Sequence, residues 1–342
     1  MMTKTPPTQL NTAHGPIRLP AYVPVTTFGE KYPLDDLVRP YLPRLAPAAM
    51  VSFHYARQMK ERPSLPLLID SGGFASLFQN SKVNAVGGLG VLETSTDDTT
   101  ETLHPRDVLD FQEKHADVAF TLDFPIPPSM DVPEARRRNK LTVANARWAI
   151  ENRRRKDMLL YACVQGWDVE SYRACASAYA DLGFDGIAIG GLVPRVSDLD
   201  GVLAIVDAVR AAVPDKPLHV FGLGKPGIVE VLFQRGVQSV DSSSYVKLAA
   251  DGKLWGQPSV HLTDASPTER LHLALCNLAM AAQRVLPLST SHLLFGSRAW
   301  ESSLPRPAAS LPSSPAQPRD PKKRGKPGKP KATGAAEATV PS

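Results

Sequence analysis

The stretch LLIDSGGFASLF, residues 67–78, is an apolar run that ends at Asp70 and is followed by a serine and two glycines. A short apolar run of this kind is typical of a strand buried on both faces, as in a parallel sheet. The glycines let the backbone turn sharply and approach a ligand, because no Cβ atom stands in the way. The stretch therefore predicts a buried strand that carries a carboxylate to a ligand site at its carboxyl end.

Similar apolar runs recur along the chain, and amphipathic helical patterns separate most of them. The predicted strands are residues 21–27, 48–55, 66–70, 117–123, 158–165, 186–191, 217–223 and 237–242. The clearest helical patterns cover residues 105–115, 169–183, 198–213 and 226–236. Alternating strands and helices predict an α/β fold, and eight parallel strands are the number that closes a TIM (β/α)8 barrel. The strand count alone leaves a doubly wound open sheet as the alternative.

Polar residues or glycines stand at the carboxyl ends of most predicted strands. They are Asp70, Asp123, Gln165, Gly190, Gly191, Gly222 and Asp241. A single aspartate in such a position more often caps the following helix. Because the active sites of TIM barrels lie where the strands end, three carboxylates and an amide on one rim favour a functional site there. The glycine spacings match neither a P-loop nor a Rossmann pattern.

The positive charge of the chain is concentrated at its carboxyl end. The 342 residues carry a formal charge of +5, and residues 305–342 hold eight basic against two acidic residues, so the remainder is near neutral. Residues 304–342 are rich in Pro, Ser, Ala and Lys, which predicts a disordered basic tail after a barrel domain at residues 1–303. The composition leaves open whether this tail binds nucleic acid or only improves solubility.

The cysteines and the apolar runs exclude several classes of protein. Cys163, Cys175 and Cys276 lie far apart with no C-x-x-C pair, which argues against a zinc ribbon or a disulfide framework. The first residues lack the apolar core of a signal peptide, and no apolar run reaches the ~18 residues that cross a membrane. The sequence therefore predicts a cytoplasmic protein with no membrane partner.

Several motifs together resemble the tRNA-guanine transglycosylase family in order and approximate spacing. They are DSGGF (70–74), VQG (164–166), LGFDGIAIGGL (182–192), GLGKP (222–226) and VDS (240–242). The resemblance covers roughly residues 65–256, and it is the combination that is specific. It implies a TIM barrel, in agreement with the strand count.

The resemblance implies exchange of a base at a nucleoside. A carboxylate attacks C1′, guanine leaves, and a free 7-deazaguanine base takes its place through a covalent glycosyl-enzyme intermediate. Asp241 matches the nucleophile of the family and Asp70 matches the general acid/base. The positions that match base-binding residues are Ser71, Gly72, Asp123, Gln165, Gly190, Gly191 and Leu192.

These residue types suit that chemistry. A carboxylate is a competent nucleophile at an oxocarbenium-like carbon, as in retaining glycosidases. A second acid must hold a proton for the departing base, so we expect burial to raise the pKa of Asp70. Guanine offers N1–H and an exocyclic amine, which Asp123 can accept, while Gln165 can both donate and accept.

The sequence departs from the family pattern after the nucleophile. The tRNA enzymes carry a C-x-C-x-x-C zinc site with a distant histidine, but the corresponding stretch, residues 261–283, has one cysteine. Cys276 and His272 are four residues apart, and two ligands do not make a structural zinc site. We therefore expect no cofactor. Cys276 is expected to lie in the protein core, on a helix that packs on the barrel, and His272 is expected to lie on the surface.

Other departures concern the parts of the family that face the polynucleotide. Ala75 stands where the tRNA enzymes usually have Gln, and VDSSSYVKLAADG (240–252) lacks their Pro-Thr-Arg loop. This pattern is similar to the DNA-directed branch of the family, which introduces a 7-deazaguanine such as preQ0. The alternatives are a tRNA enzyme that lacks the zinc site and a non-catalytic nucleic-acid-binding subunit. The sequence leaves open whether the protein forms a homodimer or needs a partner protein of a modification complex.

Two arginine runs flank one predicted helix and fit a nucleic-acid backbone as partner. They contain Arg136, Arg137, Arg138, Arg153, Arg154 and Arg155. A solvated helix with charged ends is the alternative interpretation. Residues 80–101 resemble the hairpin insertion of the family and act as a lid or as a simple loop.

Overall fold

The computed structural model describes residues 7–27, 33–96 and 98–282. The predicted tail at residues 304–342 lies outside the described residues, and so does the predicted boundary at residue 303. Within the described ranges, no helix is long and apolar enough to cross a membrane.

All eight strands predicted from the sequence form one parallel sheet. They are β3 (Ala21–Pro24), β4 (Ala49–Val51), β5 (Leu67–Ile69), β9 (Val118–Phe120), β10 (Leu159–Val164), β11 (Gly186–Ile189), β12 (Leu218–Val220) and β13 (Ser239–Ser242). Their spatial order is β3-β13-β12-β11-β10-β9-β5-β4. A parallel bridge between Val25 and Met50 joins the two ends of this order, and Thr26 N donates to Met50 O at 2.8 Å. The sheet thus closes on itself, so the TIM-like barrel is confirmed and the open sheet is excluded.

The helices follow the strands as the β/α alternation requires. They are α1 (Pro33–Val38), α2 (Leu42–Leu45), α3 (Phe53–Ala56), α4 (Pro105–His115), α5 (Val132–Asn152), α6 (Val169–Ser177), α7 (Leu199–Ala212), α8 (Pro226–Gln234), α9 (Ser244–Ala250) and α10 (Pro267–Ala281). Short 3₁₀ helices cover Arg39–Tyr41, Gly73–Leu77 and Val193–Arg195. Capping boxes begin α6 at Asp168 and α10 at Ser266, which satisfies amide groups that a helix start leaves unpaired.

The remaining strands form small antiparallel additions to the barrel. They are the hairpin of β1 (Gln9–Thr12) and β2 (Gly15–Arg18), the three-stranded sheet of β6 (Ser81–Val86), β7 (Leu89–Ser95) and β8 (Thr100–Leu103), and the pair β14 (Lys253–Leu254) and β15 (Gln257–His261). The sheet β6–β8 confirms the predicted hairpin insertion. Asn145 of α5 fixes this sheet, since its side chain bonds both Gly90 N (2.8 Å) and Gly90 O (3.0 Å).

The core has an inner and an outer part, and the alternation of side chains along each strand separates them. In β5, Leu68 packs in the cluster inside the barrel, whereas Leu67 and Ile69 pack in the cluster between strands and helices. Phe120 and Tyr161 fill the barrel interior, where their rings meet edge to face. The interior is therefore a packed core.

Candidate functional site

Strand alternation directs several predicted site residues to the inside of the barrel. Because Leu68 points inward, Asp70 two positions later lies on the same side, just past the end of β5. Cys163 points inward in β10, and Gln165 follows it with the same parity. Ala188 of β11 and Gly190 are related in the same way. The sequence therefore brings these positions to one rim of the barrel, at the carboxyl ends of the strands.

Asp70 lies at this rim, directly after the end of β5. Its Oδ1 accepts hydrogen bonds from Phe53 N (3.1 Å) and from Gly72 N (2.8 Å). Burial raises the pKa of Asp70 to about 7, and the charges of Asp241 and Asp123 act in the same direction. The three carboxyl groups are thus close enough to influence one another, and Asp70 is able to hold or release a proton near neutral pH.

The side chains of Asp123 and Gln165 form a buried, hydrogen-bonded pair. Gln165 Nε2 donates to Asp123 Oδ2 at 2.6 Å, and Ser71 Oγ donates to Asp123 Oδ1 at 2.9 Å. Burial raises the pKa of Asp123. Gln165 Oε1 is buried and has no hydrogen-bond partner, which is costly unless a donor from a ligand completes it.

The two glycines after β11 are required by the position of Gln165. A Cβ atom on Gly190 would lie 2.1 Å from Gln165 Nε2, and one on Gly191 would lie 2.8 Å from Gln165 Oε1. Gly191 also has a φ of +71°, a conformation that favours glycine. Leu192, the next residue, is fully buried. The backbone of this loop therefore lies against the side chain that carries the unpaired oxygen.

Asp241 is held by two donors on one of its oxygens. Its Oδ1 accepts from Gly222 N at 3.1 Å and lies 3.0 Å from His219 Nε2. Because a carboxylate oxygen only accepts, His219 donates through Nε2, and its Nδ1 forms a hydrogen bond of 2.8 Å with Ser239 Oγ. Both of these hydrogen bonds reach Oδ1, so Oδ2 is the oxygen that this arrangement leaves to react.

His219 was not among the residues predicted from the sequence. It is fully buried and packs against the rings of Phe120 and Phe221, with ring centroids 5.1 and 5.0 Å away. The available signal was a single histidine inside the apolar run PLHVFGL, residues 217–223. That signal says only that the residue is buried in a strand, because its partner Asp241 belongs to the next strand.

The second arginine run does not lie at the rim. Arg153 pairs with Asp185, Arg154 pairs with Asp110 and Glu113, and Arg155 pairs with Asp157. The arginines precede β10, and their partners lie near the carboxyl end of α4 or just before β10 and β11, so the run lies at the amino ends of the strands, opposite the candidate site. The prediction that this run contacts a nucleic-acid backbone stays a prediction, and the structure places these side chains in ion pairs away from the candidate site.

The first arginine run lies on the same side of the barrel as the rim, but two of its members are paired with Glu134. Arg136 is the member that could contact a ligand. Arg138 is mostly buried and bonds Glu134 and Pro125 O, and Arg137 bonds Glu134 and Val83 O. Arg136 lies 5.9 Å from the ring centroid of Trp167, and within the described ranges it has no carboxylate partner.

Helix α10 contains a buried histidine and a buried cysteine that lie close together, His272 and Cys276. His272 is buried, so its predicted surface position is wrong, and its ring nitrogens lie 3.7 Å from Cys276 Sγ. Burial lowers the pKa of His272 to about 3 and raises that of Cys276 to about 12. Among the residues that the structure describes, no group of three or more histidine, cysteine, aspartate or glutamate residues is placed to hold a metal ion.

The fold and the site define a TIM-barrel protein with a rim rich in carboxyl groups, where barrels of this architecture carry their active sites. A family model described as TGT, queuine tRNA-ribosyltransferase, matches residues 47–277, which is more than half of the chain. The chain therefore belongs to the TGT family. The resemblance to tRNA-guanine transglycosylases is thereby confirmed at the level of the family.

Individual relatives agree with this assignment. The queuine tRNA-ribosyltransferase of Saccharophagus degradans is 29% identical over 281 residues, which cover 74% of this chain and 71% of that protein. The tRNA-guanine(15) transglycosylase of Methanothermobacter thermautotrophicus is 27% identical over 261 residues, 72% of this chain and 36% of that protein. The protein of the same description from Methanococcus aeolicus is 30% identical over 177 residues, 27% of its length. The chain thus spans only about a third or less of these last two relatives.

Proposed function

We propose that this protein exchanges guanine in a nucleic acid for a 7-deazaguanine base, with Asp241 as nucleophile and Asp70 as general acid/base. The observation that carries the proposal is that the carboxyl groups of Asp70 and Asp241 converge beside the hydrogen-bonded Asp123–Gln165 pair. Asp70 titrates near neutral pH, and Asp241 keeps one oxygen for reaction.

Asp241 performs the displacement. Its Oδ2 forms a bond to C1′ of the nucleoside while the bond from C1′ to the base nitrogen breaks, as in retaining glycosidases. His219 and Gly222 keep their hydrogen bonds to Oδ1, which becomes the carbonyl oxygen of the glycosyl ester. The same two donors stabilise the carboxylate when the incoming base displaces it.

Asp70 moves the proton. The departing guanine takes up a proton as its bond to C1′ breaks, and the incoming base loses one as its own bond forms. An acid with a pKa of about 7 is suited to both steps near neutral pH. The two steps therefore leave Asp70 in the protonation state in which it began.

The Asp123–Gln165 pair recognises the edge of the base. Asp123 accepts hydrogen bonds, and the unpaired Gln165 Oε1 accepts a further one from an N–H of guanine or a 7-deazaguanine. Ser71 and Gly72 support this arrangement through Asp123 and Asp70. The backbone of Gly190, Gly191 and Leu192 lies beside Gln165 and completes the proposed base pocket.

DNA is the substrate that we propose, and tRNA is the alternative. The preference for DNA rests on the departures at Ala75 and in VDSSSYVKLAADG, while the relatives named above are described by their action on tRNA. Duplex DNA requires the target nucleotide to leave the stack, at a cost of a few kcal/mol. The presence of both Asp70 and Asp241 speaks against a third reading, a non-catalytic nucleic-acid-binding subunit.

The test is incubation of the full chain with radiolabelled guanine or preQ0 and either duplex DNA or tRNA. We expect label in DNA with wild type and none with Asp241→Asn. Label in tRNA alone would contradict the choice of DNA and leave the exchange chemistry intact. Absence of label from both nucleic acids would contradict the proposed function itself.

The domain arrangement remains part of the proposal. We propose that residues 1–303 form the catalytic unit and that the basic residues of 304–342 add electrostatic affinity for the nucleic acid. A chain that ends at residue 303 should then keep its rate of exchange and show a weaker dependence of affinity on salt.

A further inference from the structure

We propose that Arg195 is a positioning residue that holds the three base-recognition loops in register. The inference rests on the proposed function, and it concerns a residue outside the motifs that the sequence comparison singled out. Arg195 ends the short 3₁₀ helix Val193–Arg195, which follows β11 and the glycine pair of the proposed base pocket.

The guanidinium group of Arg195 donates to carbonyl groups of three different loops. Nε donates to Gly191 O at 3.2 Å, and Nη2 donates to Gly166 O and Ile126 O, both at 3.4 Å. These carbonyls belong to the loops that follow β11, β10 and β9, respectively. One side chain thus joins three neighbouring strands of the barrel at their carboxyl ends.

Each of these loops carries one component of the proposed base pocket. Gly191 is itself part of the pocket, Gly166 directly follows Gln165, and Ile126 lies three residues after Asp123. Because the Gln165 Nε2 to Asp123 Oδ2 distance is 2.6 Å, a shift of one loop against the next would break the pair. The positions of the three loops therefore determine whether the pair presents its free oxygen to a base.

Tyr172 contacts both Arg195 and the loop that follows β11. The guanidinium carbon lies 5.9 Å from the centroid of the Tyr172 ring, and Tyr172 Oη donates to Gly190 O at 2.8 Å. The tyrosine is fully buried, so it provides a fixed support. Arg195 and Tyr172 together hold the backbone of both glycines.

The geometry requires an arginine and not simply a positive charge. A guanidinium group presents five N–H donors in a planar fork, whereas a lysine ammonium group is a single point on a flexible stem. Arg195 has no carboxylate partner within the described ranges of the chain. Its charge is directed at carbonyl dipoles, which is the arrangement expected of a residue that organises loops.

The arrangement predicts a selective kinetic effect. Asp70 follows β5 and Asp241 lies within β13, whereas the three carbonyls follow β9, β10 and β11. Loss of Arg195 should therefore weaken recognition of the base and leave the displacement step nearly intact. A merely structural role would lower the melting temperature without separating KM from kcat.

The experiment compares Arg195→Met, Arg195→Lys and Tyr172→Phe with wild type in the full chain. We expect both Arg195 variants to raise KM for guanine, and the Kd of guanine measured by calorimetry, about tenfold, with kcat changed less than about twofold. Tyr172→Phe removes one hydroxyl group and should give a smaller change in the same direction. The matched control is Arg235→Met, which removes an exposed arginine that pairs with Asp207 at the far end of α8.

Three results would overturn the inference. The first is a wild-type KM in folded Arg195→Met, and the second is full recovery by Arg195→Lys, which would reduce the role to charge. The third is an unchanged KM in Tyr172→Phe where Arg195→Met fails to fold. Wild-type protein that exchanges guanine in neither nucleic acid would instead reject the proposed function, so the two failures are distinguishable.

Discussion

The two ends of helix α5 carry runs of three arginines that look alike in the sequence but lie in opposite environments. Arg136, Arg137 and Arg138 are near the amino end of α5, on the side of the rim with the proposed active site. Arg153, Arg154 and Arg155 follow its carboxyl end and lie at the opposite side of the barrel. At the rim, Arg136 has an aromatic ring as its neighbour, whereas each arginine at the opposite end has a carboxylate.

The difference shows that partners, and not the charge of a run, decide what the run does. Arg155 Nη1 bonds Glu113 O and Ala116 O at 3.0 and 2.9 Å, which satisfies carbonyl groups at the carboxyl end of α4. Arg153 is buried against Asp185. The contacts at the far end of the barrel therefore stabilise the fold, whereas Arg136 lies at the rim where TIM barrels carry their active sites.

The largest effect that separates the two ends is expected at Asp241. Asp241→Asn keeps an acceptor for His219 and Gly222 but removes the nucleophile, so exchange should fall more than about 1,000-fold. The matched control is Asp207→Asn, a carboxylate paired with Arg235 at the opposite end. Initial rates of label exchange measure both, and equal losses in the two variants would contradict the division between the ends.

We expect the Asp70 carboxyl group to promote catalysis and, at the same time, to lower the stability of the folded protein. Asp70→Asn removes the proton donor, and we expect a loss of about 100-fold to 10,000-fold in the rate of exchange. In wild type the rate should fall as the pH rises above about 7, because the acid form of Asp70 is lost.

The same substitution, Asp70→Asn, is expected to stabilise the protein above neutral pH although it lowers the rate of exchange. The pKa of Asp70 is raised from 3.8 to about 7 on folding, so the folded wild type loses stability as the pH rises between these values. Asp70→Asn lacks this loss and should melt at a higher temperature than wild type at pH 8, with no advantage at pH 3.5. A lower melting temperature at pH 8 would contradict the raised pKa.

At the far end, Arg153→Met should act on stability alone. The substitution leaves Asp185 without its partner in a partly buried site, which we expect to cost about 1–3 kcal/mol of unfolding free energy. Urea unfolding measures the loss. The affinity of the folded variant for nucleic acid should match that of wild type, and a weaker affinity would return this run to the interface.

The smallest effect is expected at the rim, for Arg136→Gln. One lost phosphate contact should weaken binding to DNA a few-fold and reduce the slope of log affinity against log salt by about 1. Arg154→Gln is the matched control, since its side chain is 71% exposed at the opposite end. Equal salt slopes for the two variants would show that Arg136 contributes no more than a distant surface charge.

The fold was predictable because its signal is local. Each barrel strand is a short buried run, and a glycine or polar residue marks its end, as in LLIDSGG. The alternation along a strand also places Asp70 and Gln165 on the inner side without knowledge of their neighbours. The predicted site residues at these ends therefore lie together in the structure.

The contributions of His219 and Arg195 were not predictable because they depend on other strands. His219 has meaning only beside Asp241 of the next strand, and Arg195 only beside the loops that follow β9 and β10. The ion pair of Arg153 with Asp185 was not predictable for the same reason, since the two residues lie 32 positions apart. Residue types and spacings do not encode such pairings.

The central claim is that Asp241 forms a covalent bond to the sugar while Asp70 moves the proton. The most direct test is to denature wild-type protein during turnover on its nucleic acid and to analyse its peptides by mass spectrometry. We expect a glycosyl adduct on the peptide that contains Asp241, and none in Asp241→Asn. An adduct at Asp70, or active exchange without any adduct at Asp241, would contradict the account.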